Sequence, residues 1–209
     1  EKNAYLTIGL VRISNPSSYG LVITDSDMSI KKFIEKPSPE EIICDTINSG
    51  VYIFSPEIFS EIPSGRPVSL EKEIFPSLLE KGKKIYAYIH YGYWIDVGTV
   101  EKYRKVNFDA LEGKTGIFAG KGQRSNLITG TASVLKEGVE IKGRAVIGNK
   151  CFIGKNCIIE ESIIMDGAVI KDNCVISNSV IGTDVLIEND CCINNMALSD
   201  RSFIGAFTR

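Results

Sequence analysis

The sequence predicts an α/β domain over residues 1–113 and a left-handed parallel β-helix of hexapeptide repeats over residues 127–209, joined by a linker at 114–126. Two observations support this division. Runs rich in Val, Ile, Tyr and Phe alternate with helical patterns in the first half, whereas the second half repeats an aliphatic residue every six positions. One pattern gives way to the other near Asn126.

Five segments of the first half have the composition of β-strands. They are rich in β-branched and aromatic residues and are separated by residues that favour turns. The segments are YLTIGLVRI, GLVIT, IKKFIE, TINSGVYIF and KIYAYIHY, which begin at Tyr5, Gly20, Ile30, Thr46 and Lys84. We therefore expect them to form the sheet of the α/β domain.

Two further segments of the first half have the pattern of helices. In SLEKEIFPSLLEKG, Ser69 is the expected N-cap and Gly82 the terminator, while Pro76 requires a break. In TVEKYRKVNFDALEG, Thr99 is the expected N-cap and Gly113 ends the helix. The apolar residues of this second helix are expected on one face: Val100, Tyr103, Val106 and Leu111.

The second half repeats aliphatic residues at steps of six, with three steps of five. They stand at Leu135, Ile141, Ile147, Ile153, Ile159, Ile164, Ile170, Ile176, Ile181, Ile187, Ile193, Leu198 and Ile204. Small or β-branched residues follow four positions later, at Val139, Ala145, Cys151, Cys157, Ala168, Cys174, Val185, Cys191, Ala197 and Ser202. An amphipathic helix would need spacings of three and four, so this pattern predicts the stacked coils of a β-helix.

The composition of the chain indicates which kinds of ligand and which cellular location to expect. Hydrophobic residues make up 44%, charged residues 24%, and the formal charge is −2, so we expect a small ligand and no nucleic acid. We find no apolar run that could cross a membrane and no signal peptide, and we expect a cytoplasmic protein without membrane contact. The chain starts without Met and almost inside a strand-like run, which leads us to expect a fragment of a longer protein.

The six cysteines fit packing better than disulfides or zinc. Four of them occupy matching positions of the repeat, where a small apolar side chain is needed. No C-x-x-C spacing occurs, which argues against a zinc site. A reducing, cytoplasmic environment is the simplest interpretation.

Four polar clusters interrupt the apolar runs of the first half: SSYG at 17–20, EKP at 35–37, INSG at 47–50 and GYWIDVGT at 92–99. Each has a structural explanation when taken alone. Tyr19 and Gly20 suit a turn, Asn48 and Gly50 suit a bulge, and Asp96 suits a helix cap.

Taken in this order, the clusters resemble the C-terminal portion of the catalytic domain of sugar-1-phosphate nucleotidylyltransferases, also called NDP-sugar pyrophosphorylases. The resemblance runs from about Thr7 to Asn107 and includes the helix with E-x-E-I-F-P. A following hexapeptide β-helix is similar to the mannose-1-phosphate guanylyltransferase-like members. The resemblance implies a partial Rossmann-like domain and transfer of a nucleotidyl group from an NTP to a hexose 1-phosphate. It favours GTP and mannose 1-phosphate, with glucose 1-phosphate and UTP or dTTP next.

The resemblance also implies which residues bind the sugar phosphate. Glu35 of E-K-P would bind sugar hydroxyls. Lys36 would bind the phosphate as a catalytic residue, because the compact positive charge of a lysine suits a phosphate. Gly20 of Y-G would approach the sugar through its backbone. Asn48 would lie by the sugar, with Gly50 allowing close approach. Adjacent strand residues point to opposite faces, so Glu35 and Lys36 can serve one ligand only if the chain bends, as expected at the proline that follows.

For the metal, the resemblance implies Mg²⁺ held by Asp96 of W-x-D-x-G, the second expected catalytic residue. The sequence does not contain the Gly-rich G-x-G-T-R-L-x-P loop, the Lys beyond it or the second Mg²⁺-binding Asp of this family. GIFAGKG at 116–122 lacks the spacing of a P-loop and is assigned to the linker. We therefore expect this chain to supply the sugar-phosphate half of the site, to be inactive alone, and to form homo-oligomers through the β-helix.

Two other functions fit a hexapeptide β-helix. Acyltransferases of this kind use a His as general base, and the single His of this chain, His90, lies outside the repeats. The other alternative is a non-catalytic regulatory or assembly subunit. The E-K-P and W-I-D clusters argue against that alternative, and the missing loop argues for it.

Overall fold

The structure, a computed structural model, describes residues 3–116 and 125–209. By its internal contacts the chain divides into two compact units, Glu1–Trp94 and Ile95–Arg209. The helix that follows Thr99 thus belongs to the second unit, whereas the sequence pattern grouped it with the first domain. The GIFAGKG segment lies, apart from its first residue, outside the described residues, and the predicted domain boundaries stay a prediction.

The first unit is built on a five-stranded sheet in the order β3-β2-β4-β1-β5. Its strands are β1 (Leu6–Arg12), β2 (Gly20–Thr24), β3 (Ile30–Glu35), β4 (Thr46–Phe54) and β5 (Ile85–Ile89). Neighbouring strands are antiparallel, except that β1 and β5 run parallel. All five segments predicted from composition therefore form strands.

A short helical region covers one face of this sheet. It consists of a wide turn with i→i+5 hydrogen bonds over Leu70–Ile74 and helix α1 over Phe75–Glu80. The predicted cap is present, because Ser69 Oγ accepts a hydrogen bond from the Lys72 amide at 3.2 Å. Pro76 lies in the first turn of α1, where the helix type changes and its missing N–H is tolerated.

Each face of the sheet has its own apolar core. The larger core joins buried residues of β1, β2 and β5 to α1 and includes Leu6, Ile8 and Phe75. The smaller core lies around Val11, Leu21 and Ile47 and is completed by partly buried side chains, among them Tyr19 and Trp94. Burial of both faces explains why β1 reads as a nearly continuous apolar run.

The second unit contains helix α2 (Val100–Leu111) and a parallel β-helix. The remaining strands are β6 (Leu127–Thr129), β7 (Val134–Leu135), β8 (Glu140–Ile147), β9 (Phe152–Ile153), β10 (Ile158–Ile164), β11 (Val169–Ile170), β12 (Val175–Ser177), β13 (Val180–Ile181), β14 (Leu186–Ile187), β15 (Cys192–Asn194), β16 (Ala197–Leu198) and β17 (Phe203–Ile204). One wall has the order β17-β14-β11-β9-β7. Since Leu135 pairs with Ile153 and Ile170 with Ile187, one coil takes 18 or 17 residues.

The predicted aliphatic positions point into the β-helix and form one continuous core with the cysteines at 151, 157, 174 and 191. Ala197 departs from the prediction because it is exposed. It lies within the five-residue step from Ile193 to Leu198 and occupies the outward position of Val180, with which it pairs. The buried small residues within the other two five-residue steps are Ser162 and Ser179, whose hydroxyls donate to backbone carbonyl oxygens.

Helix α2 packs against an outward-facing apolar stripe of the β-helix. Phe108 and Leu111 are buried there with Ile163 and Val180, and Thr99 caps the helix as predicted. The predicted contact face was partly wrong, since Val100 is 38% exposed. Tyr103 and Leu111 make the contact as predicted, together with Phe108, which was not predicted.

The structure also bears on membranes and disulfides. None of the helices in the described ranges has both the length and the apolar character needed to cross a lipid bilayer. All six cysteines carry free thiols, and the four in the repeat are buried, as packing predicted.

Candidate functional site

Three of the predicted sugar-binding residues line one cleft of the first unit. Gly20, Glu35 and Asn48 meet there with Glu71, over a base formed by Leu21, Phe33 and Ile34. The pairing of β2 with β3 places Gly20 directly opposite Glu35. A Cβ atom at position 20 would lie 2.8 Å from Glu35 Oε2, so glycine keeps the room that this carboxylate occupies.

Lys36 follows Glu35 with a backbone conformation that breaks the strand. Its φ is +50°, in the left-handed region that non-glycine residues seldom adopt. The chain therefore turns at Lys36 itself, one residue before the bend expected at Pro37, and the strict alternation of side chains ends there. Lys36 is exposed. Strained residues of this kind often cluster at ligand sites.

The predicted bulge is present in β4, and it directs Asn48. Ile8 pairs with Tyr52 and Leu10 with Asn48, so three residues of β4 face the single residue between them on β1. Gly50 lies within the bulge with a φ of +78°. Its amide donates to Asn48 Oδ1 at 3.0 Å, which turns the Asn48 amide nitrogen toward Tyr52 and Glu71.

Two residues of the site were missed by sequence reasoning. Asn48 Nδ2 donates to Tyr52 Oη at 2.7 Å, and Tyr52 Oη donates to Glu71 Oε1 at 2.7 Å. Burial raises the pKa of Tyr52 to about 12; the hydrogen bond to Glu71 and the nearby Glu35 charge add to this rise, while the hydrogen bond from Asn48 opposes it. Tyr52 therefore remains a donor at neutral pH and orients the Glu71 carboxylate.

Glu71 opens the E-x-E-I-F-P motif that formed part of the resemblance. No role was assigned to it, because an acidic residue in the first turn of a helix is common for electrostatic reasons alone. Only the tertiary arrangement places its carboxylate 3.4 Å from Asn48 Nδ2, in the cleft that Glu35 also lines. The cleft consequently presents two carboxylates and one amide. Such groups accept and donate hydrogen bonds to the hydroxyls of a small polar ligand.

Asp96 belongs to the second unit. It is exposed, and its Oδ2 lies 3.6 Å from Lys102 Nζ. Asp96 does not cap α2, since Thr99 does so. Within residues 3–116 and 125–209 no group of three or more His, Cys, Asp or Glu side chains could hold a metal ion. One exposed carboxylate still fits a hard cation such as Mg²⁺, which takes few protein ligands and completes its shell with phosphate oxygens and water.

His90 stands at the end of β5 in the first unit and is exposed. Its backbone amide continues the strand by donating to the Leu10 carbonyl at 2.8 Å. Since the sequence has no other histidine, the β-helix contains none, and the acyltransferase alternative gains no general base from the structure.

Comparison with known families assigns each half of the chain. Residues 1–113 match the family described as nucleotidyl transferase. Residues 121–208 match the family described as the EIF2B subunit epsilon LbH domain. The second match supports the predicted left-handed β-helix, and the first supports the family resemblance based on the polar clusters.

Curated relatives are similar over much of the chain. A mannose-1-phosphate guanylyltransferase of Mycobacterium tuberculosis is 35% identical over 149 residues, which cover 71% of this chain and 41% of that protein. A UTP–glucose-1-phosphate uridylyltransferase of Synechocystis is 32% identical over 174 residues, covering 72% and 45%. A mannose-1-phosphate guanyltransferase of Pichia angusta is 35% identical over 150 residues, covering 69% and 38%. The chain thus spans about two fifths of the length of these relatives.

Proposed function

The chain belongs to the nucleotidyl transferase family, and from this premise we propose that it supplies the sugar-phosphate side of a sugar-1-phosphate nucleotidyltransferase site. The reaction converts an NTP and a hexose 1-phosphate into an NDP-sugar and pyrophosphate. Mannose 1-phosphate and GTP are favoured, because two of the relatives described above carry that activity in their names. Glucose 1-phosphate with UTP is the second pair, named for the Synechocystis relative.

The observation that carries this proposal is the convergence of Gly20, Glu35, Asn48 and Glu71 on one cleft. A hexose offers several hydroxyls that both donate and accept hydrogen bonds. The two carboxylates suit hydroxyl donors, and the Asn48 amide suits a hydroxyl acceptor. The absence of a side chain at Gly20 leaves room for the Glu35 carboxylate in the cleft, where it can accept from the hydroxyls of the ring.

Lys36 is the proposed partner of the sugar phosphate. Its ammonium follows the Glu35 carboxylate at a turn of the backbone, so one side chain can hold the ring while the next holds the phosphate. A phosphate oxygen of the sugar 1-phosphate attacks the α-phosphorus of the NTP, the bond from that phosphorus to the bridging oxygen breaks, and pyrophosphate leaves with the bond electrons. In such a reaction the protein contributes mainly positioning and electrostatic stabilisation.

Asp96 is the proposed protein ligand of a divalent cation, with Mg²⁺ favoured because the donor is a carboxylate. When bound, the cation supplies positive charge that offsets the charge gathering on the phosphates. A cytoplasmic location and self-association as a homo-oligomer also remain part of the proposal.

Pyrophosphate release tests the proposed function directly. The protein as it is encoded, including any sequence before Glu1, is assayed with the common NTPs and hexose 1-phosphates, with Mg²⁺ and with a chelator instead. We expect release with one pair, mannose 1-phosphate and GTP first, and none with the chelator. Silence across all pairs, or acyl transfer from an acyl thioester, would contradict the proposal.

A further inference from the structure

The bulge of β4 is held by side chains from three directions. Ser49 Oγ donates to the Gly9 carbonyl oxygen at 2.7 Å, and the Gly50 amide donates to Asn48 Oδ1 at 3.0 Å. The third contact comes from outside the strand, where Trp94 Nε1 donates to the Ser49 carbonyl oxygen at 3.2 Å. A Cβ atom on Gly9 would lie only 2.7 Å from Ser49 Oγ. Together these contacts hold the backbone of the bulge in one conformation.

Trp94 reaches the bulge from the face of the sheet opposite to the cleft. Its ring packs in the smaller core beside Ile47, and Asn48, as the next residue of the strand, points to the other face. The described residues that line the cleft do not include Trp94. The Tyr19 ring packs edge-on against the Trp94 ring, with centroids 6.0 Å apart. Trp94 therefore also contacts the segment that precedes Gly20.

We propose that Trp94 is a positioning residue that acts on Asn48 through the bulge and so sets affinity for the sugar. The inference rests on the proposed function, because it assigns Asn48 to the sugar. Bulges beside active sites re-aim side chains. Without the indole N–H, the Ser49 carbonyl loses this donor, the bulge shifts, and the Asn48 amide next to it leaves its place between Gly50 and Tyr52.

Steady-state kinetics test the functional part of this inference. Trp94→Phe keeps an aromatic ring and removes the N–H donor. We expect the KM for the sugar phosphate to rise about fivefold, as for one net hydrogen bond, with the KM for the NTP and kcat unchanged. In an Asn48→Ala background the same substitution should add less than about twofold, because residues that act through one another are not additive. An equal rise in both backgrounds would overturn the proposal.

Hydrogen exchange at the Gly50 amide tests the inference without any substrate. Trp94→Phe and, independently, Ser49→Ala should both speed this exchange. The matched control is Thr46→Val, at the start of the same strand as Gly50. It removes the hydrogen bond from Thr46 Oγ1 to the Val22 carbonyl oxygen of β2 and should leave exchange at Gly50 close to that of the wild type. Unchanged exchange in both bulge variants overturns the proposal. Faster exchange in a wild-type-like fold that turns over no substrate upholds the bulge support and rejects the proposed function instead.

Discussion

At the scale of single residues, Lys36 is the residue proposed to bind the phosphate of the sugar 1-phosphate. We expect Lys36→Ala to lower kcat/KM for the sugar phosphate by about 10- to 100-fold, because a hydrogen bond to a charged group is lost. Lys32→Ala is the matched control, since Lys32 is an exposed lysine of β3, the strand that ends just before Lys36. Equal kinetics for both variants would remove Lys36 from the site.

Tyr52 gives a prediction about pH. Its pKa is raised from 10.0 to about 12 in the folded protein, so its stabilising contribution is fully present below pH 10 and is lost as the pH rises toward 12. The difference in free energy of unfolding between wild type and Tyr52→Phe should therefore stay constant up to pH 10 and shrink above it. Tyr88→Phe, at a position 65% exposed, is the matched control for the loss of a tyrosine hydroxyl. A constant difference up to pH 12 would contradict the assignment.

Individual site residues were predictable only where the resemblance assigned them a role. Glu35, Gly20 and Asn48 belong to short clusters whose order carried information, and the structure places all three in one cleft. Glu71 and Tyr52 belong to a helix start and a strand, where their residue types are ordinary. Their role depends on a hydrogen bond between residues 19 positions apart, which local patterns do not encode.

At the scale of elements, helix α2 packs against one wall of the β-helix and buries its outward-facing apolar residues. Phe108 is 3% exposed, and its ring centroid lies 4.4 Å from the Arg144 guanidinium carbon. We expect Phe108→Ala to lower the free energy of unfolding of the second unit by about 3–5 kcal/mol. Val100→Ala, at a position 38% exposed, should cost about 1 kcal/mol or less.

The measurement of this difference must report on the second unit. The only tryptophan, Trp94, lies in the first unit, so its fluorescence is unsuitable. Hydrogen exchange of peptides from residues 134–198 follows the β-helix directly. Similar protection in the Phe108→Ala and Val100→Ala variants would show that α2 adds little to the stability of the β-helix.

The strands and helices were predictable because each has a local cause. The β-helix repeats one environment in every coil, so the same inward residue types recur and the period is unmistakable. The contact face of α2 was less predictable, because it depends on which outward residues of the β-helix lie beneath the helix. The helical pattern predicted Val100 and Val106 on the contact face and omitted Phe108, although Phe108 is the residue buried against the β-helix.

At the scale of the whole molecule, two units with separate cores account for the two patterns in the sequence. The first offers a polar cleft with two carboxylates, and the second offers a rigid stack of coils with α2 on one wall. The division after Trp94 was not predictable from composition, because the turn into α2 carries no change of pattern. The order of the polar clusters nevertheless led to the family, which the match over residues 1–113 shows.

The central claim is that the cleft of the first unit binds the sugar. The most direct test is the dissociation constant of mannose 1-phosphate and of glucose 1-phosphate, measured calorimetrically on the protein as encoded. For the sugar phosphate that binds, the account predicts that Glu35→Gln weakens binding by about tenfold or more, while Glu57→Gln, an exposed glutamate outside the cleft, leaves it unchanged. Wild-type affinity in the Glu35→Gln variant would contradict the account.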